Sequence, residues 1–317
     1  MTPSQRSSTQ GKRKTDARAD GPPTVGRLLD DAERRFEERD VEFPDASALW
    51  LLAGVLDRLD DPDALLAERR KRVAPEAADR FRALVERRER HEPYQYIVGV
   101  VDFRGALMEI DAGLFVPREQ TERMCDEIEA WAKDLPVPPG GWRIAELGTG
   151  VGAMAVSLAK GPLAPSTVLA VDISDKALAL ARRNVRRHSV EKVVRPVMGD
   201  WLTMIRPAPC LDVICAVPPY LNPGDEIWLS EESLRWEPME SFFGEPSGDT
   251  VLRMILDESA ARLRPGGLVA LQADSDQIPG LVDYVNDDPE HPLTIEWILQ
   301  DEEGDEDAVL AVKPASE

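Results

Sequence analysis

Ala145-Glu-Leu-Gly-Thr-Gly-Val-Gly152 is the stretch on which the fold turns. An apolar run, RIAELG, ends in three spaced glycines, and an alanine-rich segment of helical character follows. Gly148, Gly150 and Gly152 permit a tight turn and let backbone N–H groups approach a ligand closely. Glycine spacing alone would serve a dinucleotide equally well. Two further features separate the cases. Glu146 lies inside the motif, where a carboxylate suits a cationic amino group and repels a pyrophosphate. Asp172 ends the next apolar run, TVLAVDI, twenty positions after Gly152, where it can grip two ribose hydroxyls. Asp200 and Trp201 end a third run, in reach of an adenine's amino group and ring face. Three carboxylates, with no Lys or Arg in the loop, fit S-adenosylmethionine, which is cationic at sulfur and has no phosphate.

Outward from this loop, apolar strands alternate with helices: RIAELG, an Ala-rich helix, TVLAVDI, KALALARRNVRRH, VVRPVMG, DVICAV, a long helix from about Thr250, and GLVALQA. LTIEWILQ and AVLAVK, joined by the acidic turn DEEGDED, predict an antiparallel hairpin at the end. That layout predicts an α/β fold with a doubly wound, seven-stranded sheet over residues 140–317. Before it, PVPPGG marks a boundary, and residues 93–139 predict a β-hairpin linker (YQYIVGVVDF and ALMEIDAGLFV, punctuated by Gly105 and Gly113) and a helix from Gln120 to about Leu135. Residues 24–92 predict an N-terminal helical bundle. Thr24 caps a helix carrying Val25, Leu28, Leu29 and Phe36, Ser47 precedes ALWLLAGVLDRL, and Pro75 opens a helix with Phe81, Leu84 and Val85 on one side. Such a bundle would dock a substrate or pair two chains as a homodimer. Residues 1–23 hold no large apolar residue after Met1 and predict a disordered tail.

The 317 residues are 43% apolar, enough for a real core, and the net charge of −21 argues against a large phosphate-binding surface. No nucleic acid is therefore predicted as a partner. Cys125, Cys210 and Cys215 have no CxxC spacing, which fits a reducing cytoplasm. His91, His188 and His291 are scattered and predict no metal site. No window has the roughly 20 apolar residues of a membrane span. The basic, polar N-terminus is not a secretory signal, so a cytoplasmic protein is expected.

With these motifs in place, the chain resembles the release factor glutamine methyltransferase family from about residue 24 to its end. The helical N-terminus, EPYQYIVG, VPREQTE at 116–122, ELGTGVG, VDIS, GDWL and PPY fall in the family's order and spacing. The resemblance implies a small helical substrate-docking domain, a hairpin, and a seven-stranded methyltransferase domain that methylates the side-chain amide of a glutamine in a protein release factor. It also implies that the glycine loop with Thr149, Asp172 with Ile173, and Trp201 bind the cofactor, and that Pro218, Pro219 and Tyr220 hold the acceptor nitrogen.

One position departs from the family. Its Asn-Pro-Pro-Tyr reads Val217-Pro218-Pro219-Tyr220 here. In the family the asparagine oxygen and the following proline carbonyl accept the two amide hydrogens, and the resemblance implies that Tyr220 stacks on the planar group. Valine accepts nothing, and an unpaired buried donor costs about 1–3 kcal/mol. The first reading is therefore a changed acceptor, a small molecule or peptide such as the guanidinium of arginine. Among the acids after the motif, Glu231 and Glu232 would hold such a group and Glu237 would act with Pro218 and Tyr220 in catalysis. The alternatives are a release factor glutamine acceptor, and a non-catalytic module that only binds cofactor.

Overall fold

The computed structural model describes residues 21–244, 247–301 and 304–315. The chain divides into two units, one up to Arg90 and one from His91 onward. The predicted tail falls largely on residues 1–20, outside the described residues. Residues 22 and 23 belong to the folded part: the Pro22 carbonyl accepts from the Arg72 guanidinium and that of Pro23 from the Val73 amide, both at 2.8 Å.

The first unit is helical: α1 (Val25–Glu37), α2 (Pro44–Val55), the single turn α3 (Ala64–Ala67) and α4 (Pro75–Arg88). Thr24 caps α1 through its hydroxyl, which accepts from the Arg27 amide, and Pro75 sits at the start of α4, where it costs no hydrogen bond. Val25, Leu29, Phe36, Leu51, Leu52, Phe81 and Val85 form the core. Ser47 does not precede its helix. The helix begins at Pro44, and Ser47 lies buried inside it, accepting from Arg88 Nε at 2.9 Å. Arg88 is fully buried and also donates to the Glu42 carbonyl at 2.7 Å. A charge removed from water in this way persists only where donors are matched to acceptors.

The second unit begins with α5 (Tyr94–Val98), then the antiparallel strands β1 (Val100–Phe103) and β2 (Ala106–Glu109), and α6 (Glu119–Ala132). The expected hairpin is thus shorter than its sequence run. YQYIV is helical because Pro93 fixes the entry and Gly99 leaves it at φ +77°, while Gly113 lies in a turn outside the strands. The hairpin is fastened to α8 (Asp175–Arg187): Arg183 grips Asp111 in a bidentate pair, and Asn184 bonds Glu109 through both backbone groups.

A seven-stranded sheet follows, built from β3 (Trp142–Leu147), β4 (Ser166–Asp172), β5 (Val194–Met198), β6 (Leu211–Ala216), β7 (Leu263–Gln272), β8 (Thr294–Gln300) and β9 (Glu306–Val312). Their spatial order is β5-β4-β3-β6-β7-β9-β8, parallel except for β9, which runs antiparallel to both neighbours. Both faces are covered, so the inner strands read as unbroken apolar runs. Along β6, Val213 and Cys215 join the apolar cluster with α6 and α7 (Ala153–Lys160), while Ile214 and Ala216 join the one with α10 (Gly248–Arg262) and α11 (Ile278–Asn286). Among the described residues no helix is long and apolar enough to cross a membrane.

Candidate active site

The chain winds one way from β3 to β4 and the other way to β6, so the carboxyl ends of β3 and β6 open onto a crevice at the switch point of the sheet. The glycine loop fills the β3 side. Gly148, Gly150 and Gly152 all have positive φ, at +71°, +55° and +82°. Gly152 also packs against α8, where an added Cβ would lie 3.2 Å from that of Ala181. Asp172 ends β4 and braces the loop: one carboxylate oxygen accepts from the Gly150 amide and the other from the Ser174 amide, each at 2.8 Å. Burial raises its pKa against the opposing pull of those backbone donors.

Glu146 lies buried beneath the loop and accepts from the Thr149 hydroxyl at 2.6 Å. Burial pushes its pKa up to about 8, against the Thr149 bond and a backbone bond from Ala155. Ile173, next to Asp172, is 72% exposed. Asp200 and Trp201 do not end a strand, as β5 stops at Met198; they form the turn behind it, with Trp201 in the left-handed region at φ 48°. Trp201 nevertheless reaches the loop, its ring 3.9 Å from where a Cβ on Gly148 would stand.

The β6 side presents the Val217-Pro218-Pro219-Tyr220 segment, which the resemblance assigns to the acceptor. The Val217 carbonyl lies 3.5 Å from that same Gly148 position, which brings the glycine loop, Trp201 and residue 217 to one place. Val217 is half-buried, with its side chain packed on the apolar core, and Pro218 is buried. Beyond them Gly248 packs directly on the Tyr220 carbonyl, which accepts from Gln277 Nε2 at 2.8 Å. Burial raises the pKa of the Tyr220 phenol, opposed by a hydrogen bond with the Gln272 side chain.

The acids after the motif are not poised as expected. Glu237 is buried, and both its oxygens are engaged: one accepts from Arg118 and from the Ser233 hydroxyl, the other from the Val116 amide at 2.8 Å. With three donors on its two oxygens, this carboxylate ties the 116–118 segment to α9 (Glu231–Trp236). Glu231 is exposed on α9 and pairs with Arg235 at 2.7 Å, one turn along the same helix. Glu232 lies half-buried beside it. Arg118 stands inside the VPREQTE run but has no role in the sequence reading; it also donates to the Ser233 hydroxyl at 3.3 Å and lies over the Phe115 ring at 4.8 Å. Only proximity to a buried acid 119 residues away reveals it.

The donor set suits a cationic nucleoside without phosphate: a buried carboxylate, a strand-end carboxylate, loop amides, and apolar Ile173 and Trp201 beside them, with no Lys or Arg in the loop. The fold and this loop define an S-adenosylmethionine-dependent methyltransferase. A family model described as a methyltransferase domain matches residues 144–231, and one described as the PrmC N-terminal domain matches residues 27–99. The release factor glutamine methyltransferase of Moorella thermoacetica is 36% identical over 254 residues, covering 80% of this chain and 87% of the relative. That of Gloeobacter violaceus is 33% identical over 226 residues, covering 71% and 74%. A methyltransferase structure from Pyrococcus furiosus, 19% identical with a TM-score of 0.48, spans 72% of this chain and 99% of its own. Within the methyltransferases, the chain belongs to the release factor glutamine methyltransferase family.

Proposed function

We propose that the chain methylates the side-chain amide nitrogen of a glutamine in a protein release factor. The observation that carries this reading is the meeting of the glycine loop and the Val217-Pro218-Pro219-Tyr220 segment at the switch point, in a chain that also matches the family's N-terminal domain. Relatives bearing that activity in their names align over most of their length, which favours a glutamine over the arginine of the first reading.

In this reading the cofactor supplies a methyl group activated by its sulfonium. Glu146 faces the cofactor's amino group, Asp172 accepts from the ribose hydroxyls, and Ile173 and Trp201 flank the base with Asp200 at its edge. Asp172 takes the Gly150 amide on one oxygen and the Ser174 amide on the other, and a carboxylate offers about four acceptor sites in all. The Pro218 carbonyl accepts one amide hydrogen and the Tyr220 ring supports the amide plane, so the chain's work is to hold a weakly nucleophilic nitrogen in line. Val217 leaves the second amide hydrogen without the family's side-chain acceptor, a loss of about 1–3 kcal/mol if nothing replaces it.

A guanidinium acceptor is the second reading, favoured by Val217 alone. The carboxylates it would use have other partners: Glu231 pairs with Arg235 and Glu237 with Arg118. Methyl-labelled S-adenosylmethionine, offered a purified release factor and separately a pool of free arginine and arginine peptides, tests the two. Label on the factor supports the glutamine acceptor; label on the arginine pool alone contradicts it.

A further inference from the structure

Just past the acceptor motif the chain makes a single tight turn, Asp225–Trp228, that holds two large apolar side chains in water: Ile227 is 78% exposed and Trp228 75%. Adjacent exposed apolar residues of this size mark contact surfaces, and a tryptophan is the residue type most often decisive in them. Trp228 overhangs a pocket of about 300 Å³ that is lined by Leu221 and Asn222 on the acceptor side and by the start of α11 on the other.

The pocket's charge identifies what would cover it. Asp225, Asp249, Asp274 and Asp276 line its walls. Asp225 accepts from the Asn222 amide at 2.8 Å, Asp249 from the Gln277 side chain at 2.9 Å, and Asp274 from the Asp276 amide at 3.1 Å. These donors are all neutral, and among the described residues none of the four acids forms an ion pair with Lys or Arg. Arg253 is the single basic side chain in the lining, and it leans over the Tyr284 ring at 5.0 Å. A long basic side chain fits this arrangement, its aliphatic stem along the indole and its charge among the carboxylates.

The pocket also adjoins the Val217–Tyr220 segment along the chain. Leu221 and Asn222 directly follow Tyr220, and Gln277 donates to both the Tyr220 carbonyl and Asp249. We propose that the Ile227–Trp228 ledge and the carboxylate pocket beneath it dock a basic stretch of the substrate protein, seating a Lys or Arg near the glutamine to be methylated. This rests on the function proposed above and adds the chemistry by which the substrate is recognised.

The test measures binding directly, without turnover. A fluorescein-labelled peptide with one glutamine flanked by lysines, and its counterpart flanked by glutamates, are titrated by anisotropy against the wild-type protein and against Trp228→Ala, Asp276→Lys and Glu191→Lys. Glu191 is an exposed acid away from the pocket and controls for general attraction to an acidic protein. Trp228 and Asp276 are exposed, and calorimetry of S-adenosylmethionine binding checks that their variants keep the fold. The lysine peptide binds the wild type and Glu191→Lys equally, and Trp228→Ala and Asp276→Lys at least about tenfold more weakly. Equal binding to all four proteins, or no preference for lysine over glutamate, overturns the proposal. A release factor that stays unlabelled while the peptide pattern holds overturns the proposed function and leaves the docking surface standing.

Discussion

At the scale of the residue, Glu146 is the most consequential side chain. Its ordinary pKa of 4.5 rises to about 8 through burial. The unfolded chain gives up this proton near 4.5, whereas the folded protein keeps it until about 8. Between those values the folded state binds more protons, so stability falls as pH rises, by at most about 1.4 kcal/mol per unit from this group. Glu146→Gln keeps the site neutral at every pH. Melting temperature against pH through this window should fall more steeply for the wild type than for the variant, in the absence of cofactor. Parallel curves would contradict the assignment. The sequence announced Glu146 through its place in the glycine motif, but its burial and its bond to Thr149 depend on the packing of β3 under the loop. Glu237 shows the opposite limit. Its acidity was legible and its use was not, because the arginine that occupies it comes from a distant segment.

At the scale of the element, the sheet strands were legible because burial on both faces leaves uninterrupted apolar runs, such as DVICAV for β6. Residues 94–98 were misread for a physical reason: aromatic and β-branched side chains favour strands, and only the flanking Pro93 and Gly99 mark a short helix. The ends of elements shape the acceptor site as well. Gly248 opens α10 against the Tyr220 backbone, and a Cβ there would lie well inside van der Waals contact with the Tyr220 carbonyl. Gly248→Ala must therefore move either α10 or the acceptor segment, at roughly 1–3 kcal/mol for an overpacked site. Turnover should drop about tenfold or more, with S-adenosylmethionine affinity by calorimetry changing far less, because the glycine loop lies on another strand. Unchanged turnover would show that the Tyr220 backbone does not set the acceptor position.

At the scale of the whole molecule, the chain aligns with a release factor glutamine methyltransferase over 80% of its length, and Val217 stands where the resemblance implies an asparagine. A methyltransferase could be read from the three carboxylates and the glycine loop. The acceptor could not, because Val217 offers no side-chain acceptor where the resemblance implies an asparagine, and the acids that suggested arginine are partly consumed by internal pairs. A net charge of −21 favours cationic partners in general. The most direct test of the account is tandem mass spectrometry of a release factor incubated with the protein and S-adenosylmethionine, reading which residue gains a methyl group. The account predicts a single methylated glutamine, with the methyl on its side-chain amide. A release factor left unmodified, while arginine in the companion tube is methylated, would contradict it.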